Sequence, residues 1–293
     1  MSPPWTRLVR YQASEQGPVQ FGEPILPDDN TDSITELAKA RQLHVTVYKG
    51  SDPFTVQPTT QTEAVHTLLG PLAPEHVPII RCIGLNYKSH ILETGRALPA
   101  CPTVFTKPSP AVADHNTAIP IPQIAQAQCD YEGELVVVIG REGKDIPESE
   151  ALDYIAGYTV GNDVSSRDWQ REPAKAGPVP QWSFSKSFDQ YAPLGPCLVS
   201  TGVAGEASGL LLETRVNGEL RQSGNTDDLW FGVRRLVAFC SQGQTLQRGS
   251  LIMTGTPGGV GLFMSPPGFL KDGDEVSVRI GMIGELVNTV RFK

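Results

Sequence analysis

The sequence predicts a mostly β fold of the α+β class, and three observations support this prediction. The 29 glycines and 25 prolines among the 293 residues follow no repeating period, which favours many turns and short strands over a long helical bundle. Apolar segments after residue 78 are short, rich in β-branched residues and bounded by Gly, Pro, Asn or Asp. Only two segments show a convincing helical period.

The first 74 residues form a small predicted N-terminal domain. Strands are expected near Thr6–Tyr11 and His44–Val47, with a short helix near Ser33–Ala40. Prolines and a glycine interrupt any periodic pattern over residues 70–78, so we interpret that stretch as a linker. The second predicted domain covers residues 75–293.

The second domain is expected to consist mainly of strands. Asn217-Gly218, between two alternating segments, is the strongest hairpin signal in the chain. A helix is predicted over Asp227–Cys240, with Asn225 or Thr226 as its N-cap, and a shorter one over Glu148–Ile155. The predicted strands are Ile79–Ile83, Thr103–Thr106, Glu132–Ile139, Tyr158–Gly161, Cys197–Ser200, Leu211–Val216, Leu251–Met253, Glu275–Ile280 and Leu286–Phe292.

The charge balance argues against two classes of partner. With 24 Lys+Arg and 32 Asp+Glu, the formal net charge is −8, and no cluster of basic residues is available to neutralise phosphates. The longest aliphatic run, Leu135–Ile139, is far too short to span a bilayer. We therefore expect neither a nucleic acid nor a membrane as partner. The N-terminus has no apolar signal region, so the cytoplasm is the expected location, with a mitochondrial location left open.

The five cysteines are far apart and form no Cys-x-x-Cys pair, which argues against a zinc ribbon or a thioredoxin motif. We expect reduced thiols in or near the core. These residues are Cys82, Cys101, Cys129, Cys197 and Cys240.

Three acidic residues stand at the ends of apolar strands. Glu132 and Glu134 are two apart, so their side chains share one face of a strand, and Asp163 follows the next short apolar segment. Carboxylates without a neighbouring Cys or His suit Mg²⁺, Mn²⁺ or Ca²⁺ rather than zinc. The alternative is a set of solvated acids at exposed strand ends. Asp168 is a possible fourth ligand, although its neighbour Arg167 suggests an ion pair.

A histidine and three further features are candidates for chemistry. His90 and Glu93 are three apart before Gly95, a spacing that lets a carboxylate orient an imidazole as a general base; an ordinary surface pair is the alternative. Lys107 and Lys186 are lone cations in apolar or aromatic stretches, where a substrate carboxylate or a structural acid could pair with them. The glycine-rich stretch 254–261 lacks the Walker pattern but could offer backbone N–H groups to an anion.

These stretches, taken together and in order, resemble the fumarylacetoacetate hydrolase superfamily over roughly residues 78–293. The matching motifs are Cys82-Ile-Gly-Leu-Asn-Tyr-Lys-Ser-His, Phe105-Thr-Lys-Pro-Ser, Asp130-Tyr-Glu-Gly-Glu-Leu-Val-Val-Val-Ile-Gly, Gly161-Asn-Asp-Val-Ser-Ser-Arg-Asp-Trp-Gln, Ser185-Lys-Ser-Phe-Asp, Arg215-Val-Asn-Gly-Glu and Thr254-Gly-Thr-Pro-Gly-Gly-Val-Gly. The resemblance implies a β-roll catalytic domain preceded by a small variable N-terminal domain, usually in a homodimer.

The resemblance also implies roles for individual residues. Mg²⁺ or Mn²⁺, with Ca²⁺ possible in crystals, would be bound by the positions that match Glu132, Glu134 and Asp163. The water-activating pair would match His90 and Glu93. The remaining implied positions are Arg167, Gln170, Lys186 and Thr256 as contacts to a small-molecule substrate, with Lys186 also counted among the catalytic residues and Lys107 near the site.

Two positions and one segment depart from the family pattern. Ser166 and Gly259 stand where alanine is usual or frequent, and the proline-rich segment Arg171–Pro180 is particular to this chain. That segment lies where a substrate-covering loop is expected, so the departure bears on specificity rather than on the chemistry.

The favoured function is hydrolytic C–C cleavage of an acylpyruvate-like compound, because a divalent cation that chelates a 2-oxo or 1,3-diketo acid stabilises the enolate that such a cleavage leaves. Decarboxylation or tautomerisation of oxaloacetate passes through a similar species and is the alternative. A cation-binding structural protein without turnover is a third hypothesis, from outside the enzymes.

Overall fold

The computed structural model describes residues 3–27, 33–93 and 95–293, apart from the side chain of Glu93. Strands predominate over helices in the described residues. The strands are β1 Arg7–Gln12, β2 Val19–Ile25, β3 His44–Lys49, β4 Gln57–Ala64, β5 Thr67–Leu69, β6 Ile80–Gly84, β7 Thr103–Lys107, β8 Val112–Ala113, β9 Ala118–Ile121, β10 Cys129–Asp130, β11 Gly133–Ile139, β12 Ile155–Asn162, β13 Ser165–Ser166, β14 Ala192–Ser200, β15 Leu211–Val216, β16 Glu219–Asn225, β17 Leu251–Met253, β18 Glu275–Ile280 and β19 Gly284–Phe292.

The helices are short. In the described residues they are α1 Ile34–Lys39, α2 Lys88–Glu93, α3 Arg167–Arg171, α4 Pro173–Ala176, α5 Trp182–Lys186, α6 Thr201–Ala204 and α7 Val233–Ser241. Segments of 3₁₀ helix lie at Pro74–His76, Ser109–Ala111, Gln123–Ala125, Glu148–Tyr154, Thr226–Asp228 and Gly261–Phe263. None of the helices in the described part of the chain has the length and apolar character needed to cross a bilayer.

A large sheet runs in the order β4-β3-β2-β1-β14-β12-β11-β17-β6-β7, with β5 beside β1 and β8 beside β14. Every residue of β11, β12 and β14 is buried, so both faces of the sheet centre are covered. Alternate side chains of β11 enter two different core clusters: Leu135 and Val137 point into one, and Val136 and Val138 into the other. This two-sided burial is why β11 appears in the sequence as a continuous apolar run.

The strands that precede residue 75 form one edge of the same sheet. The connection is antiparallel pairing of β1 with β14, in which Arg7 is opposite Val199 and Leu8 is opposite Leu198. The predicted N-terminal strands and the predicted helix at Ser33–Ala40 are present as β1, β3 and α1.

A second sheet has the order β16-β15-β18-β19-β9 and contains the predicted hairpin. Val216 pairs with Glu219 across the two-residue turn, where Asn217 has φ +51° and Gly218 has φ +79°. Two successive positive φ values are typical of the type I′ turn that Asn-Gly favours, so the hairpin prediction is confirmed.

Both predicted helices need correction. Asn225 does cap a turn, since its side chain accepts a hydrogen bond from the Asp227 backbone N–H at 2.9 Å, but that turn is a 3₁₀ turn of three residues. The α-helix begins only at Val233, after Gly232 in an extended conformation. The segment predicted as a helix over Glu148–Ile155 is a 3₁₀ helix over Glu148–Tyr154.

Four of the five cysteines are buried, as expected, whereas Cys101 is exposed. Burial raises the pKa of the Cys240 thiol to about 11, so the thiol is protonated at neutral pH.

Candidate metal centre

The three predicted carboxylates lie together. One ligand atom from each of Glu132, Glu134 and Asp163 falls within 4.8 Å of the other two. The pairing of β11 with β12 explains this, because Gly133 is opposite Asn162 and the Asp163 backbone N–H donates to the Glu132 carbonyl at 2.8 Å. We refer to these three side chains as the acidic triad.

Two buried lysines contact the acidic triad. The Lys186 ammonium donates to Glu132 Oε2 at 2.9 Å, to Asp163 Oδ2 at 2.7 Å and to Ser165 Oγ at 2.6 Å. Lys107 Nζ lies 2.5 Å from Asp163 Oδ1 and also donates to the Tyr191 carbonyl. Burial disfavours the charged form of Lys186, but the Asp163 and Glu132 carboxylates outweigh it and raise the pKa of this lysine. The ammonium is therefore charged at neutral pH.

The environment of Glu134 differs from that of Glu132 and Asp163. Glu134 is buried, and one carboxylate oxygen accepts a hydrogen bond from the Gly255 backbone N–H at 2.7 Å. Burial raises the pKa of Glu134 well above its usual range, and the Asp163 and Glu132 carboxylates raise it further. For Glu132, burial is outweighed by the Lys186 and Arg167 charges, which lower its pKa. A divalent cation would offset the charge that is costly at Glu134, and oxygen donors suit such a cation, so the residues fit a metal ion.

Arg167 extends the charged network. Its Nη2 lies 2.7 Å from Glu132 Oε1, its Nη1 donates to Gln170 Oε1 at 3.2 Å, and its Nε donates to Asp130 Oδ2 at 2.8 Å. The expected ion pair between Arg167 and Asp168 is wrong. Asp168, in the first turn of α3, accepts instead from Lys175, 2.5 Å away, from Ser166 Oγ and from the Trp169 backbone N–H.

Asp130 is a residue that our sequence reasoning did not single out. It is fully buried and accepts hydrogen bonds from the backbone N–H groups of Gly261 and Leu262, at 2.8 and 3.0 Å, in addition to the bond from Arg167. Asp130 therefore joins the glycine-rich stretch to the arginine that contacts Glu132. Its position two residues before Glu132 in the same motif was the available signal.

The glycine-rich stretch does offer N–H groups to anions, and the anions are the chain's own carboxylates. Gly255 donates to Glu134, and Gly261 donates to Asp130. The departure at Gly259 also has a local explanation: its φ is +100°, and a Cβ there would lie 2.0 Å from the Arg221 carbonyl oxygen. An alanine would be strained at this position.

A cavity of about 720 Å³ opens beside the triad. Five predicted site residues line it, namely His90, Arg167, Gln170, Lys186 and Thr256, together with Glu132 of the triad. Thr256 is held in place, since its hydroxyl donates to the Gly133 carbonyl and accepts from Gln222 Nε2. Lys107 is not among the described lining residues, because it is buried behind Asp163.

His90 is buried on α2, and its ring centroid lies 5.9 Å from that of Phe263. Glu93 is the last residue of the same helix, so the backbone has the spacing that the proposed pair needs. The Glu93 side chain lies outside the described part of the structure.

Comparison with known proteins identifies a matching family. Residues 79–291 match the family described as fumarylacetoacetate (FAA) hydrolase, C-terminal. The caffeoylpyruvate hydrolase of Neonothopanus nambi is 39% identical, over 99% of this chain and 95% of its own length. The oxaloacetate tautomerase of Bacillus subtilis is 42% identical, over 73% of this chain and 72% of its own length.

Solved structures agree with these matches. A 5-carboxymethyl-2-hydroxymuconate delta-isomerase from Mycobacterium smegmatis superposes with a TM-score of 0.77 at 33% identity, covering 98% of this chain and 100% of its own. A fumarylpyruvate hydrolase from Pseudomonas aeruginosa, solved with Mn²⁺ and pyruvate, gives a TM-score of 0.65 at 31% identity, covering 78% of this chain and 92% of its own. The β-roll fold expected from the sequence is thereby confirmed.

Proposed function

The chain belongs to the fumarylacetoacetate hydrolase family of metal-dependent enzymes, and we propose that it hydrolyses a C–C bond of an acylpyruvate-like 1,3-dioxo acid. The observation that carries this proposal is a cavity lined by Glu132 of the acidic triad, by the cations Arg167 and Lys186 that contact the triad, and by His90. The relatives include both a hydrolase of an acylpyruvate and a tautomerase of oxaloacetate, so hydrolysis and proton transfer are the two candidate reactions.

Glu132, Glu134 and Asp163 would hold the metal ion, with Mg²⁺ or Mn²⁺ as the expected ion. Support comes from the oxygen-only donor set and from the Mn²⁺ in the Pseudomonas fumarylpyruvate hydrolase. When bound, a divalent cation supplies positive charge that stabilises the two oxygens of a 1,3-dioxo acid as they become negative.

The cavity residues would bind and orient the substrate. Arg167 and Lys186 are cations that line the cavity, suited to a carboxylate, and Gln170 and Thr256 add neutral hydrogen-bonding groups. Arg167 is also fixed by Asp130 and Glu132, so its guanidinium is pre-organised before a substrate arrives. Lys107 would act only through Asp163, which it contacts from behind.

His90 would take a proton from a water molecule, and Glu93 would orient the imidazole. The water oxygen forms a bond to the acyl carbonyl carbon, and the C–C bond between that carbon and the adjacent methylene breaks. The electron pair of the broken bond enters the pyruvate fragment as an enolate, which then accepts a proton at carbon to give pyruvate. The products are a carboxylic acid and pyruvate, so atoms and charge balance.

The second candidate is keto–enol tautomerisation of oxaloacetate, favoured by the 42% identity with the Bacillus enzyme. This reaction moves one proton and needs no water as nucleophile. Decarboxylation of oxaloacetate also needs no activated water, because it requires only an electron sink and an aligned carboxylate.

One experiment separates these reactions. Purified protein is treated with EDTA, reloaded with Mg²⁺ or Mn²⁺, and assayed with an acylpyruvate panel and with oxaloacetate, following pyruvate release and tautomer absorbance separately. We expect metal-dependent acylpyruvate cleavage that His90→Ala abolishes, while oxaloacetate decarboxylation stays above the metal-only background. Rapid oxaloacetate conversion without cleavage of any acylpyruvate would establish the second candidate. Metal-induced stabilisation without turnover would instead identify a non-catalytic cation-binding protein.

We also propose a homodimer in the cytoplasm, with domains at residues 1–74 and 75–293. The family match begins at residue 79, close to the proposed boundary, although the N-terminal strands continue the large sheet. Light scattering after size exclusion tests the dimer, and limited proteolysis around residues 70–78 tests the boundary.

A further inference from the structure

The cavity has an apolar and aromatic part that the proposed chemistry does not use. Arg167 and Lys186 contact the acidic triad, Arg96 and Arg171 also line the cavity, and about half of the lining residues are apolar or aromatic. A volume of about 720 Å³ falls in the range of pockets that hold drug-sized ligands. A four-carbon oxo diacid has no apolar part with which to cover this lining. The apolar and aromatic lining residues are Ile83, Leu85, Phe105, Pro180, Trp182, Val260, Leu262, Phe263 and Met264.

We propose that Trp182, with Phe105 and Phe263, selects substrates whose acyl group carries a planar aromatic ring without a terminal carboxylate. We call these three side chains the aromatic wall. The inference rests on the proposed function, because it concerns the acyl part of the same acylpyruvate substrate.

The position of the Trp182 ring depends on a glycine in a neighbouring strand. A Cβ added to Gly84, the last residue of β6, would lie 1.8 Å from Cζ3 of Trp182. The indole therefore occupies the space above Gly84 that any other residue would fill. Phe105 contacts it edge to face, with ring centroids 5.4 Å apart. Two rings in a defined geometry provide a surface suited to a third ring.

The aromatic wall is joined to the reacting end of the cavity. Trp182 and Lys186 are the first and last residues of α5, four apart, so their side chains lie on the same helix face. The Lys186 ammonium also lies 5.2 Å from the centroid of the Phe105 ring. A substrate whose dioxo acid end contacts Lys186 would thus place its acyl group beside Phe105 and Trp182.

The segment that precedes Trp182 is fixed by hydrogen bonds. The Gln181 side-chain amide donates to the carbonyls of Lys175 and Ala176, and the Gln181 backbone N–H donates to the Gln170 carbonyl. This segment contains the proline-rich stretch Arg171–Pro180, of which Arg171 and Pro180 line the cavity. The stretch therefore contributes to the shape of the cavity beside Trp182.

Phe263 supplies the exposed part of the wall. Its side chain is 59% exposed although it lines the cavity and contacts the His90 ring. The Arg171 guanidinium lies 5.9 Å from its centroid. Covering this ring with an apolar ligand would remove exposed aromatic surface from water, which is favourable.

The test compares three substrates that share one dioxo acid end: benzoylpyruvate, acetylpyruvate and fumarylpyruvate, each with Mn²⁺-loaded protein. We expect benzoylpyruvate to exceed acetylpyruvate in kcat/KM on the order of 10- to 100-fold, from burial of the ring. Trp182→Ala should lower kcat/KM for benzoylpyruvate far more than for acetylpyruvate, so that most of the preference is lost, and Trp182→Phe should restore part of it. A preference for fumarylpyruvate would overturn the inference in favour of a carboxylate recognised by Arg171 or Arg96, which also line the cavity.

Phe184→Ala is the matched control. Phe184 lies on the same helix and is 47% exposed, but it is not among the described cavity-lining residues, so its truncation should leave the substrate ratio unchanged. An equal loss on all substrates in Trp182→Ala, or the same loss of preference in Phe184→Ala, would contradict the inference. Phe263→Ala provides a second test of the aromatic wall. The Phe263 side chain is exposed, so its truncation should not impair folding.

A binding measurement separates this inference from the proposed reaction. Benzoylformate and pyruvate are 2-oxo acids without the cleavable bond, and calorimetric titration into Mn²⁺-loaded protein needs no turnover. We expect benzoylformate to bind at least about 10-fold more tightly than pyruvate in the wild type, and Trp182→Ala to abolish the difference. If no acylpyruvate is cleaved but this difference is found, the proposed reaction is wrong and the aromatic wall stands. Equal binding of the two acids by the wild type refutes the wall.

Discussion

Two clusters of buried polar side chains show two ways of burying charge in one chain. The acidic triad holds three carboxylates within 4.8 Å and leaves Glu134 with a strongly raised pKa. Where the N-terminal strands meet the rest of the sheet, Arg10 instead pairs with Asp114 and donates to the Gly70 carbonyl at 2.8 Å. We call Arg10, Asp114 and the neighbouring His115 the junction cluster.

The two clusters differ in how their charges are paired when no ligand is bound. In the junction cluster, opposite charges meet and Asp114 also accepts from the Gly70 backbone N–H at 3.1 Å. In the acidic triad, cations pair with Glu132 and Asp163, whereas Glu134 accepts from a backbone N–H and faces the two other carboxylates, which costs free energy until a cation binds. Strain of this kind is typical of functional sites, whereas paired charges are typical of structural ones. We therefore expect substitutions in the acidic triad to change activity more than stability, and substitutions in the junction cluster to change stability more than activity.

The largest effect is expected from Glu134→Gln. The amide keeps the shape and can still accept from Gly255, but it removes one carboxylate ligand. We expect kcat/KM to fall on the order of 10³-fold, which is similar to the fall seen in other enzymes when one charge-stabilising group is removed. The melting temperature of the metal-free protein should rise, because a carboxylate that is costly to bury is gone.

Steady-state kinetics and thermal unfolding with EDTA or Mn²⁺ measure both effects. Glu148→Gln is the control, since its side chain is half-exposed and pairs with Arg235, and neither residue is among the described residues that line the cavity. A metal-free Glu134→Gln protein that is less stable than the wild type would show that the triad is not strained.

The second prediction concerns Asp130, which holds Arg167 and two backbone N–H groups. Asp130→Asn keeps one acceptor oxygen but removes the charge opposite Arg167. We expect kcat/KM to fall about 10- to 100-fold, the range found for groups that orient a metal or substrate ligand. Because Arg167 is proposed to bind substrate, KM should rise more than kcat falls. Equal kcat/KM values in Asp130→Asn and the wild type would show that Asp130 does not position Arg167. Asp130→Glu tests whether a carboxylate charge alone is enough to restore kcat/KM.

The acidic triad was predictable because its residues lie in short, strongly patterned segments. Glu132 and Glu134 flank the start of a continuous apolar run, and Asp163 ends the next one, so strand pairing alone brings them together. The Asn217-Gly218 hairpin was predictable for a similar reason, since two adjacent residues determine the turn.

Long-range side-chain pairing was not predictable from one sequence. Arg167 has Asp168 as its neighbour in the chain but pairs with Asp130, because the first turn of α3 directs the Asp168 carboxylate towards Ser166 and Lys175. The apolar period also predicted a helix start at Asp227, six residues before the observed start of α7 at Val233. The period does not show that Gly232, just before the helix, has an extended backbone. Arg10 and Asp114 are 104 residues apart, and no local pattern links them.

The third prediction uses His115, which is buried and whose Nδ1 accepts from the Val287 backbone N–H at 3.3 Å. Burial, with a smaller contribution from Lys39, lowers the pKa of His115 to about 4. In the unfolded chain the imidazole titrates near 6.5, so below that pH the unfolded state takes up a proton that the folded state does not. Stability from this group is complete above about pH 6.5 and falls by about 2 kcal/mol on acidification to about pH 5.

Urea denaturation of wild type and His115→Gln at several pH values measures this slope. The wild type should lose more stability than the variant between neutral and mildly acidic pH, because the glutamine does not titrate. Parallel curves would mean that the imidazole takes up a proton as readily in the folded protein as in the unfolded chain, so that its pKa is not lowered by folding. Activity at neutral pH should be similar in both proteins, since His115 belongs to the junction cluster.

The smallest effect is expected from Arg10→Met, which keeps the aliphatic stem and removes the charge. Asp114 is about one-third exposed, so water can replace part of the lost pairing, and Gly70 still donates to it. We expect a loss of about 1 kcal/mol in the free energy of unfolding, with kcat/KM and metal affinity unchanged. A double-mutant cycle with Asp114→Asn isolates the pair, because the asparagine retains an acceptor for Gly70. Arg10 is buried against an opposite charge and is therefore not strained. Any change in metal affinity in Arg10→Met would mean that the two clusters are coupled through the shared sheet. The contrast between a structural and a functional cluster would then fail.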